Sequence, residues 1–145
     1  MCSSDLENRF NIPVLTQRLS GVVRWAADLP KFSEGSIGLF GASTGAAAAL
    51  YAAAENKEIR AVVSRGGRPD LALDALAQVA CPTLLIVGGA DTEVLKLNQL
   101  ALSRLGCEKQ LAVVPHATHL FEEPGALIQV ARLAANWFKR HLPAN

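Results

Sequence analysis

Three residues of this chain have the types and the order that nucleophilic catalysis needs. Ser43 is the centre of the segment GASTG at 41–45, which has the form G-x-S-x-G. A serine hydroxyl becomes a nucleophile when a histidine removes its proton, and a carboxylate must orient that histidine. Asp91 and His119 follow Ser43 in the chain, each after an apolar run. This order predicts Ser43 as the nucleophile, His119 as the general base and Asp91 as the acid that orients the base.

The glycine-rich segment around Ser43 also has an interpretation as a phosphate-binding turn. Gly38, Gly41 and Gly45 could form a degenerate dinucleotide fingerprint, and Arg65 could then meet a 2′-phosphate. The spacing G-x-x-G-x-x-x-G differs from G-x-G-x-x-G, however, and no lysine follows as in a Walker A loop. We therefore favour the nucleophile, and a non-catalytic nucleotide-binding or interaction module is the alternative.

Other residues compete for the roles of base and acid. His116 lies closer to the end of the preceding apolar run; we prefer His119 because a longer loop lets its ring turn back toward the serine. His141 is predicted to be a solvated residue that interacts with the dipole of the last helix. Asp70 and Asp74 are predicted to cap a helix N-terminus, and Asp70 is also the alternative acid.

Further residues near these three have predicted supporting roles. Glycines are expected on both sides of Ser43, because strand and helix nearly touch in such a turn. The backbone N–H of Thr44, at a helix N-terminus, is expected to stabilise a developing oxyanion. Arg65 and Arg68 are predicted either to contact an anionic substrate group or to belong to a solvated loop. Cys81 precedes a strand and is predicted to be a buried apolar residue.

Strands and helices must alternate to bring these residues together. Apolar runs predict strands, and apolar residues at helical spacing predict helices. The alternation implies right-handed crossovers and an α/β fold, in which helices cover both faces of a parallel sheet. The carboxyl ends of its strands would place Ser43, Asp91 and His119 along one edge. Strands are predicted at 36–40, 59–64, 83–89 and 110–115, and helices at 12–29, 44–55, 69–79, 93–105 and 124–141.

Composition excludes several classes of protein. The chain has 145 residues, 50% of them hydrophobic, and a net charge of +1, which suits one globular domain. Its basic residues are scattered without an aromatic stripe, so we expect no nucleic-acid partner. No apolar run approaches the roughly 18 residues of a membrane span, and the start does not resemble a signal peptide. Cysteines without metal-type spacing favour a reducing compartment, so we expect a cytoplasmic protein without a metal.

These motifs together resemble the C-terminal part of an α/β hydrolase of the dienelactone-hydrolase-like branch. The resemblance runs over 10–142 and depends on the segments IGLFGASTGAAAAL, VVSRGGRPDLA, PTLLIVGGADTEV and THLFEEPGAL. It implies a serine hydrolase that cleaves an ester or thioester of a small-molecule acyl substrate, without an organic cofactor. Dienelactone hydrolases proper resemble this pattern with a cysteine in the place of Ser43, and the serine favours general ester or thioester cleavage over dienelactone chemistry. Relatives of this kind are sometimes fused to a phosphoribosyltransferase domain.

The resemblance also implies that part of the family fold lies outside this sequence. The predicted four-stranded parallel sheet, flanked by helices, corresponds to strands five to eight of the family fold. Residues 7–145 are therefore expected to form the C-terminal part of an α/β-hydrolase domain that lacks the first four strands. The loop that supplies the second oxyanion N–H is then absent, and we expect weak or no activity from the Thr44 N–H alone. The strand at 36–40 would have an open edge, to which the missing N-terminal half or another copy could pair.

The first six residues have a separate interpretation. MCSSDL is the translation of GTG TGC TCT TCC GAT CTN with GTG as the start codon, and this string matches a widely used sequencing adapter. We interpret residues 1–6 as adapter read-through and expect native sequence from about Glu7. A natural start with a polar tail is the alternative, and the source DNA upstream of that codon distinguishes the two.

Overall fold

Strands and helices alternate along the chain. The computed structural model describes residues 11–32 and 37–143, so the interpretation of residues 1–6 lies outside the described residues. The helices are α1 (Ile12–Ala27), α2 (Thr44–Glu55), α3 (Thr92–Arg104) and α4 (Ala126–His141), with 3₁₀ helices at Pro30–Phe32 and Pro69–Gln78. The strands are β1 (Ile37–Ala42), β2 (Ile59–Arg65), β3 (Thr83–Gly88) and β4 (Lys109–Val114). These strands form a four-stranded parallel sheet in the order β1-β2-β3-β4.

The predicted α/β architecture with a parallel sheet is confirmed. Helix α2 begins and ends at the predicted residues. Strand β1 continues to Ala42, beyond the predicted end at Phe40, and its predicted first residue, Ser36, lies outside the described residues. The segment predicted as a helix at 69–79 forms 3₁₀ turns, which Ala72 interrupts with φ −118° and ψ 24°. None of the described helices has the length and the apolar character needed to cross a membrane.

Apolar side chains on the two faces of the sheet form two clusters. On the face covered by α1, α2 and α3, Leu50, Leu76 and Leu85 are fully buried. Helix α4 covers the other face, where Phe121 and Trp137 pack against the strands. Because helices lie on both faces, every residue of β3 is buried, and this explains why its sequence is a continuous apolar run rather than an alternating one.

The register of the strands brings their carboxyl ends to one edge of the sheet. Ala42 at the end of β1 lies beside Arg65 at the end of β2. Gly88 at the end of β3 lies beside Val114 at the end of β4. The segments that follow the strands therefore start at the same edge, and they contain the residues that the sequence predicts to act together.

Helix α2 lies close to the sheet because its first turns carry only small side chains. The alanines at 46–49 are at most 2% exposed. A Cβ on Gly41 would lie 2.7 Å from the carbonyl oxygen of Gly45 and 2.8 Å from the Cα of Ala46, so only glycine fits at this position. A Cβ on Gly45 would meet nothing within 4 Å beyond its own helix. The expected need for glycine is confirmed at Gly41 and is wrong at Gly45.

Strand β1 is an edge strand in the described part of the chain. It pairs with β2 on one side, and no described strand pairs with its other side. Phe40 in this strand is 51% exposed, and Trp25 of α1 is 65% exposed. Pairing of this edge with a further segment of the family fold, or with a second copy, stays a prediction.

Replacing Gly41 with alanine is expected to destabilise the turn into α2. The new methyl group has no space between strand and helix, so the free energy of unfolding should fall by about 1–3 kcal/mol. Gly45→Ala is the matched control, and it should leave stability unchanged or raise it by up to about 1 kcal/mol through helix propensity. Urea denaturation followed by circular dichroism measures both variants. Equal losses in the two would contradict this account of the turn.

Cys81 is only 9% exposed, which confirms its predicted burial. Burial raises the pKa of the Cys81 thiol to about 11, and the neighbouring Cys107 adds to this effect. Because the thiolate is the reactive form, folding should slow the alkylation of Cys81 at pH 8 by about a hundredfold or more. Iodoacetamide labelling and peptide mass spectrometry can compare the folded chain with the same chain in urea. Similar rates in the two states would contradict the raised pKa.

Candidate active site

Ser43 occupies a strained turn between β1 and α2. Its φ of 51° and ψ of −125° lie in a backbone region that residues other than glycine rarely adopt, and this conformation costs about 1–3 kcal/mol. The carbonyl oxygen of Ser43 accepts hydrogen bonds from the N–H groups of Ala46 and Arg68, each at 3.1 Å, and these contacts stabilise the turn. The Ser43 side chain makes no capping hydrogen bond to the helix, so its hydroxyl can contact another side chain.

The side chains of Ser43, His119 and Asp91 form a series of hydrogen bonds. Oγ of Ser43 lies 3.1 Å from Nε2 of His119, and Nδ1 of His119 lies 2.8 Å from Oδ2 of Asp91. Where the Asp91 carboxylate accepts, Nδ1 of His119 is the hydrogen-bond donor, and Nε2 is then free to accept a hydrogen bond from the serine hydroxyl. The Asp91 side chain is 15% exposed and that of His119 is 43% exposed. The structure thus brings together the three residues that the sequence singles out.

Asp91 and His119 lie on two loops that are joined by a backbone hydrogen bond. Asp91 precedes α3, where its side chain makes no capping hydrogen bond and can accept from the histidine. The N–H of Ala90 donates to the carbonyl oxygen of Ala117 at 3.0 Å, which joins the loop after β3 to the loop after β4. Gly88 permits this approach, because a Cβ there would lie 2.2 Å from the same carbonyl oxygen.

The N-terminus of α2 follows the serine directly. Thr44 is the first residue of this helix, so the helix offers no carbonyl partner for its N–H. An N–H at the positive end of a helix dipole is suited to an oxyanion, and this role of Thr44 stays a prediction. Among the described residues, no group of three or more His, Cys, Asp or Glu side chains could hold a metal ion.

The alternative base and the alternative acids lie outside the hydrogen bonds that join Ser43, His119 and Asp91. His116 has a positive φ of 64°, is exposed and makes no hydrogen bond or ion pair with a described residue. Asp70 accepts hydrogen bonds from Nε and a terminal nitrogen of Arg68, at 3.0 and 2.9 Å. Asp74 accepts from the hydroxyl of Tyr51. The prediction that Asp70 and Asp74 cap a helix is wrong, because their carboxylates accept hydrogen bonds from other side chains instead of from the backbone at the start of the helix.

His141 is not the solvated residue that the sequence predicts. Its side chain is only 10% exposed, and its Nε2 lies 3.3 Å from a carboxylate oxygen of Glu108. Its ring centroid lies 4.3 Å from that of Trp137. The last turn of α4 therefore packs onto the residues that precede β4, and this packing buries the imidazole far from the serine turn.

Arg65, the last residue of β2, and Arg68, in the loop that follows, have different side-chain partners. The guanidinium of Arg68 pairs with Asp70, and these hydrogen bonds raise the pKa of Arg68. The guanidinium carbon of Arg65 lies 5.6 Å from the ring centroid of Phe121, and Arg65 forms no ion pair with a described residue. Nε of Arg65 is buried and has no hydrogen-bond partner within the described part of the chain. Among the described residues, Arg65 therefore has no carboxylate partner, whereas Arg68 has one.

Sequence reasoning missed two polar residues that hold the surrounding loops. Asn98, which is fully buried in α3, donates from Nδ2 to the carbonyl oxygen of Gly67 at 3.0 Å. A signal existed for this residue, because Asn98 lies three residues before the buried Ala101 on the apolar stripe of the helix. Glu123 accepts hydrogen bonds from Thr118 across the histidine loop. Periodicity gives no signal for a pairing within a loop.

Known structures share this fold. A dienelactone hydrolase from Anabaena variabilis matches with a TM-score of 0.91 and 52% identity, over 96% of this chain and 66% of that chain. A metagenomic dienelactone hydrolase-like promiscuous phosphotriesterase matches with a TM-score of 0.76, over 97% of this chain and 67% of that chain. At 17% identity, the second likeness shows the fold alone.

Sequence comparisons agree with the structural ones. A Mycobacterium tuberculosis protein with the provisional name phosphoribosyl transferase is 58% identical over 136 residues, which make up 93% of this chain and 31% of that protein. The chain thus spans less than a third of the length of the curated relatives that it matches. The sequence model of the dienelactone hydrolase family matches residues 6–141. The resemblance predicted from the motifs is confirmed, and this chain belongs to the dienelactone hydrolase family.

Proposed function

We propose that this chain carries the nucleophilic machinery of a serine hydrolase that cleaves an ester or thioester of a small-molecule substrate. The observation that carries the proposal is the series of hydrogen bonds from Ser43 through His119 to Asp91. A hydroxyl 3.1 Å from a basic ring nitrogen is within the range at which a general base removes a proton. Membership of a hydrolase family supports the same conclusion.

In the proposed reaction, Oγ of Ser43 attacks the acyl carbonyl carbon while its proton moves to Nε2 of His119. His119 then gives this proton to the departing oxygen or sulfur, which leaves the acyl group on Ser43. A water molecule attacks the acyl carbon and passes a proton to His119. Ser43 leaves with that proton, so the acid is released and the enzyme is restored. Asp91 holds the ring with Nδ1 protonated and stabilises the imidazolium in both steps.

The Thr44 N–H is the donor that we propose for the oxyanion of each tetrahedral intermediate. In α/β hydrolases a second N–H comes from a loop earlier in the fold than the serine turn. Loss of one such donor typically lowers the rate by about 10²–10³. We therefore propose that this chain positions its nucleophile but turns over slowly by itself.

The Mycobacterium tuberculosis relatives are much longer than this chain, and their provisional name describes the whole proteins. That name, phosphoribosyl transferase, belongs to proteins of which the chain covers 31%. The glycines of the matched region do not follow a phosphate-binding spacing, and Ser43 among them is hydrogen-bonded to a histidine. We therefore propose hydrolysis rather than nucleotide binding or phosphoribosyl transfer.

A fluorophosphonate probe should label this chain at Ser43. The probe reacts with a serine whose proton is removed by a neighbouring base, so Ser43→Ala should abolish labelling and His119→Ala should slow it by at least about a hundredfold. Intact-protein mass spectrometry measures the extent of labelling, and peptide mapping locates it.

Ser103→Ala is the matched control for this experiment. Ser103 is an exposed serine whose hydroxyl donates to the carbonyl oxygen of Leu100, with no histidine beside it. This variant should label at the native rate. Labelling that persists in Ser43→Ala, or that maps to another residue, would reject Ser43 as the nucleophile.

We also propose that Arg65, rather than Arg68, contacts an anionic group of the substrate. The guanidinium of Arg65 has no ion-pair partner among the described residues and lies over the ring of Phe121, a residue of the histidine loop. The next residue, Gly66, lies so near His119 that a Cβ on it would be 3.4 Å from Nδ1. Arg68 is a poorer candidate, because Asp70 already occupies its guanidinium.

The test is a pair of esters of equal length, one neutral and one with a terminal carboxylate. Arg65→Met should raise KM for the anionic ester by about tenfold or more, because a charge-assisted hydrogen bond is lost, and should leave the neutral ester unchanged. Arg68→Met is the control and should affect both esters alike. The role of Arg65 would be disproved by an equal change for both esters in Arg65→Met.

A further inference from the structure

The loop that carries His119 is closed by one carboxylate. Glu123 accepts a hydrogen bond from the N–H of Thr118 at 2.7 Å. The Thr118 hydroxyl donates to the same carboxylate and lies 2.9 Å from Oε2 and 3.1 Å from Oε1. The loop between β4 and α4 is thereby bridged across the segment 118–123, and His119 lies inside the bridged segment.

The backbone on both sides of His119 makes further hydrogen bonds beside this closure. The N–H of Phe121 donates to the carbonyl oxygen of Thr118 at 3.0 Å, so His119 is a central residue of a tight turn. Phe121 is 1% exposed and has a positive φ of 55°, so it anchors the far side of the turn in the core. The N–H of Ala126 donates to the carbonyl oxygen of Glu123 at 3.0 Å, which joins the turn to the start of α4.

The exposure of His119 makes this support necessary. Its side chain is 43% exposed, so packing holds the ring only on part of its surface. The ring must nevertheless keep one nitrogen 3.1 Å from the serine and the other 2.8 Å from the aspartate. A displacement of about 1 Å in a reacting group can lower the rate by about a hundredfold. The position of the His119 backbone is therefore one of the constraints on the ring, beside its two hydrogen bonds.

We propose that Glu123 is a positioning residue for His119: its carboxylate closes the turn and sets the distance between Nε2 and the Ser43 hydroxyl. This inference rests on the proposed function. Glu123 does not touch the reacting atoms and acts through Thr118 and the turn between them.

The state of the carboxylate supports this role. The Thr118 N–H, and after it the Thr118 hydroxyl, lower the pKa of Glu123. Glu123 is therefore ionised at neutral pH, in the form that accepts every one of these hydrogen bonds. The neighbouring Glu122 is exposed and makes no hydrogen bond or ion pair with a described residue, although it carries the same charge.

The experiment compares Glu123→Ala, Glu123→Gln and Glu122→Ala in the full chain. Glu123→Ala should slow fluorophosphonate labelling and lower kcat for an ester by about tenfold to a hundredfold, with KM changed by less than about twofold. Glu123→Gln should recover part of the loss, because its amide oxygen still accepts from the Thr118 N–H. Glu122→Ala removes the same charge one residue away and should behave as the native chain.

A second measurement decides the inference without catalysis. The Nδ1 proton of a histidine bonded to a carboxylate gives a separate, strongly deshielded NMR signal, which should be present in the native chain. This signal should be lost or broadened in Glu123→Ala and retained in Glu122→Ala. Thr118→Val removes only the hydroxyl and should have an intermediate effect, and it also replaces Glu123→Ala if that variant fails to fold.

The outcomes separate this inference from the proposed function. If Glu123→Ala keeps the native labelling rate and the native histidine signal, Glu123 is not a positioning residue. Equal losses in Glu122→Ala and Glu123→Ala would overturn the inference too, because net charge would then explain both. If the native chain is not labelled at Ser43, the proposed function fails, and the histidine signal still decides whether Glu123 holds the ring.

Discussion

The position of Ser43 depends on how closely β1 approaches α2 at Gly41. With less than 3 Å available for a Cβ, only glycine lets the chain turn directly from strand into helix. The turn holds Ser43 at a positive φ of 51°, which costs about 1–3 kcal/mol. The hydrogen bonds from Ala46 and Arg68 to the Ser43 carbonyl oxygen offset part of this cost. Backbone contacts therefore determine where the proposed nucleophile lies.

Backbone hydrogen bonds join the loops at this edge of the sheet to one another. The N–H of Arg68 joins the loop after β2 to the serine turn, and the N–H of Ala90 joins the loop after β3 to Ala117. Gly66, in the loop after β2, lies near the His119 ring, since a Cβ on it would be 3.4 Å from Nδ1. A shift in one loop would therefore change several distances in the site at once. This coupling explains how a half-exposed imidazole lies within hydrogen-bond range of partners on both of its nitrogens.

Much of this arrangement could be predicted from the sequence, because each strand and helix has its own period and parallel strands end at one edge. That topology is sufficient to single out the serine, the acid and the histidine. Partners within loops could not be predicted, since they depend on backbone conformation. Asp70 takes the guanidinium of Arg68, whereas Arg65 finds no carboxylate among the described residues. The Glu123 carboxylate likewise accepts a hydrogen bond from Thr118 within the same loop, and no periodic pattern in the sequence predicts this contact.

The proposed function divides into two parts, positioning of the proposed nucleophile and stabilisation of the charge that develops on the substrate. The hydrogen bonds described for Ser43, His119 and Asp91 all come from residues between 37 and 143. The developing oxyanion, in contrast, has one proposed donor here, the Thr44 N–H. In the proposed reaction, positioning would determine how readily Ser43 loses its proton, whereas N–H donors would determine how far the tetrahedral intermediate is stabilised. A chain with the first property and little of the second would react with an activated acyl or phosphonyl group more readily than with an ordinary ester. The rate of reaction with an activated group would therefore depend mainly on the positioning of Ser43, and the turnover of an ordinary ester would depend also on the oxyanion donors.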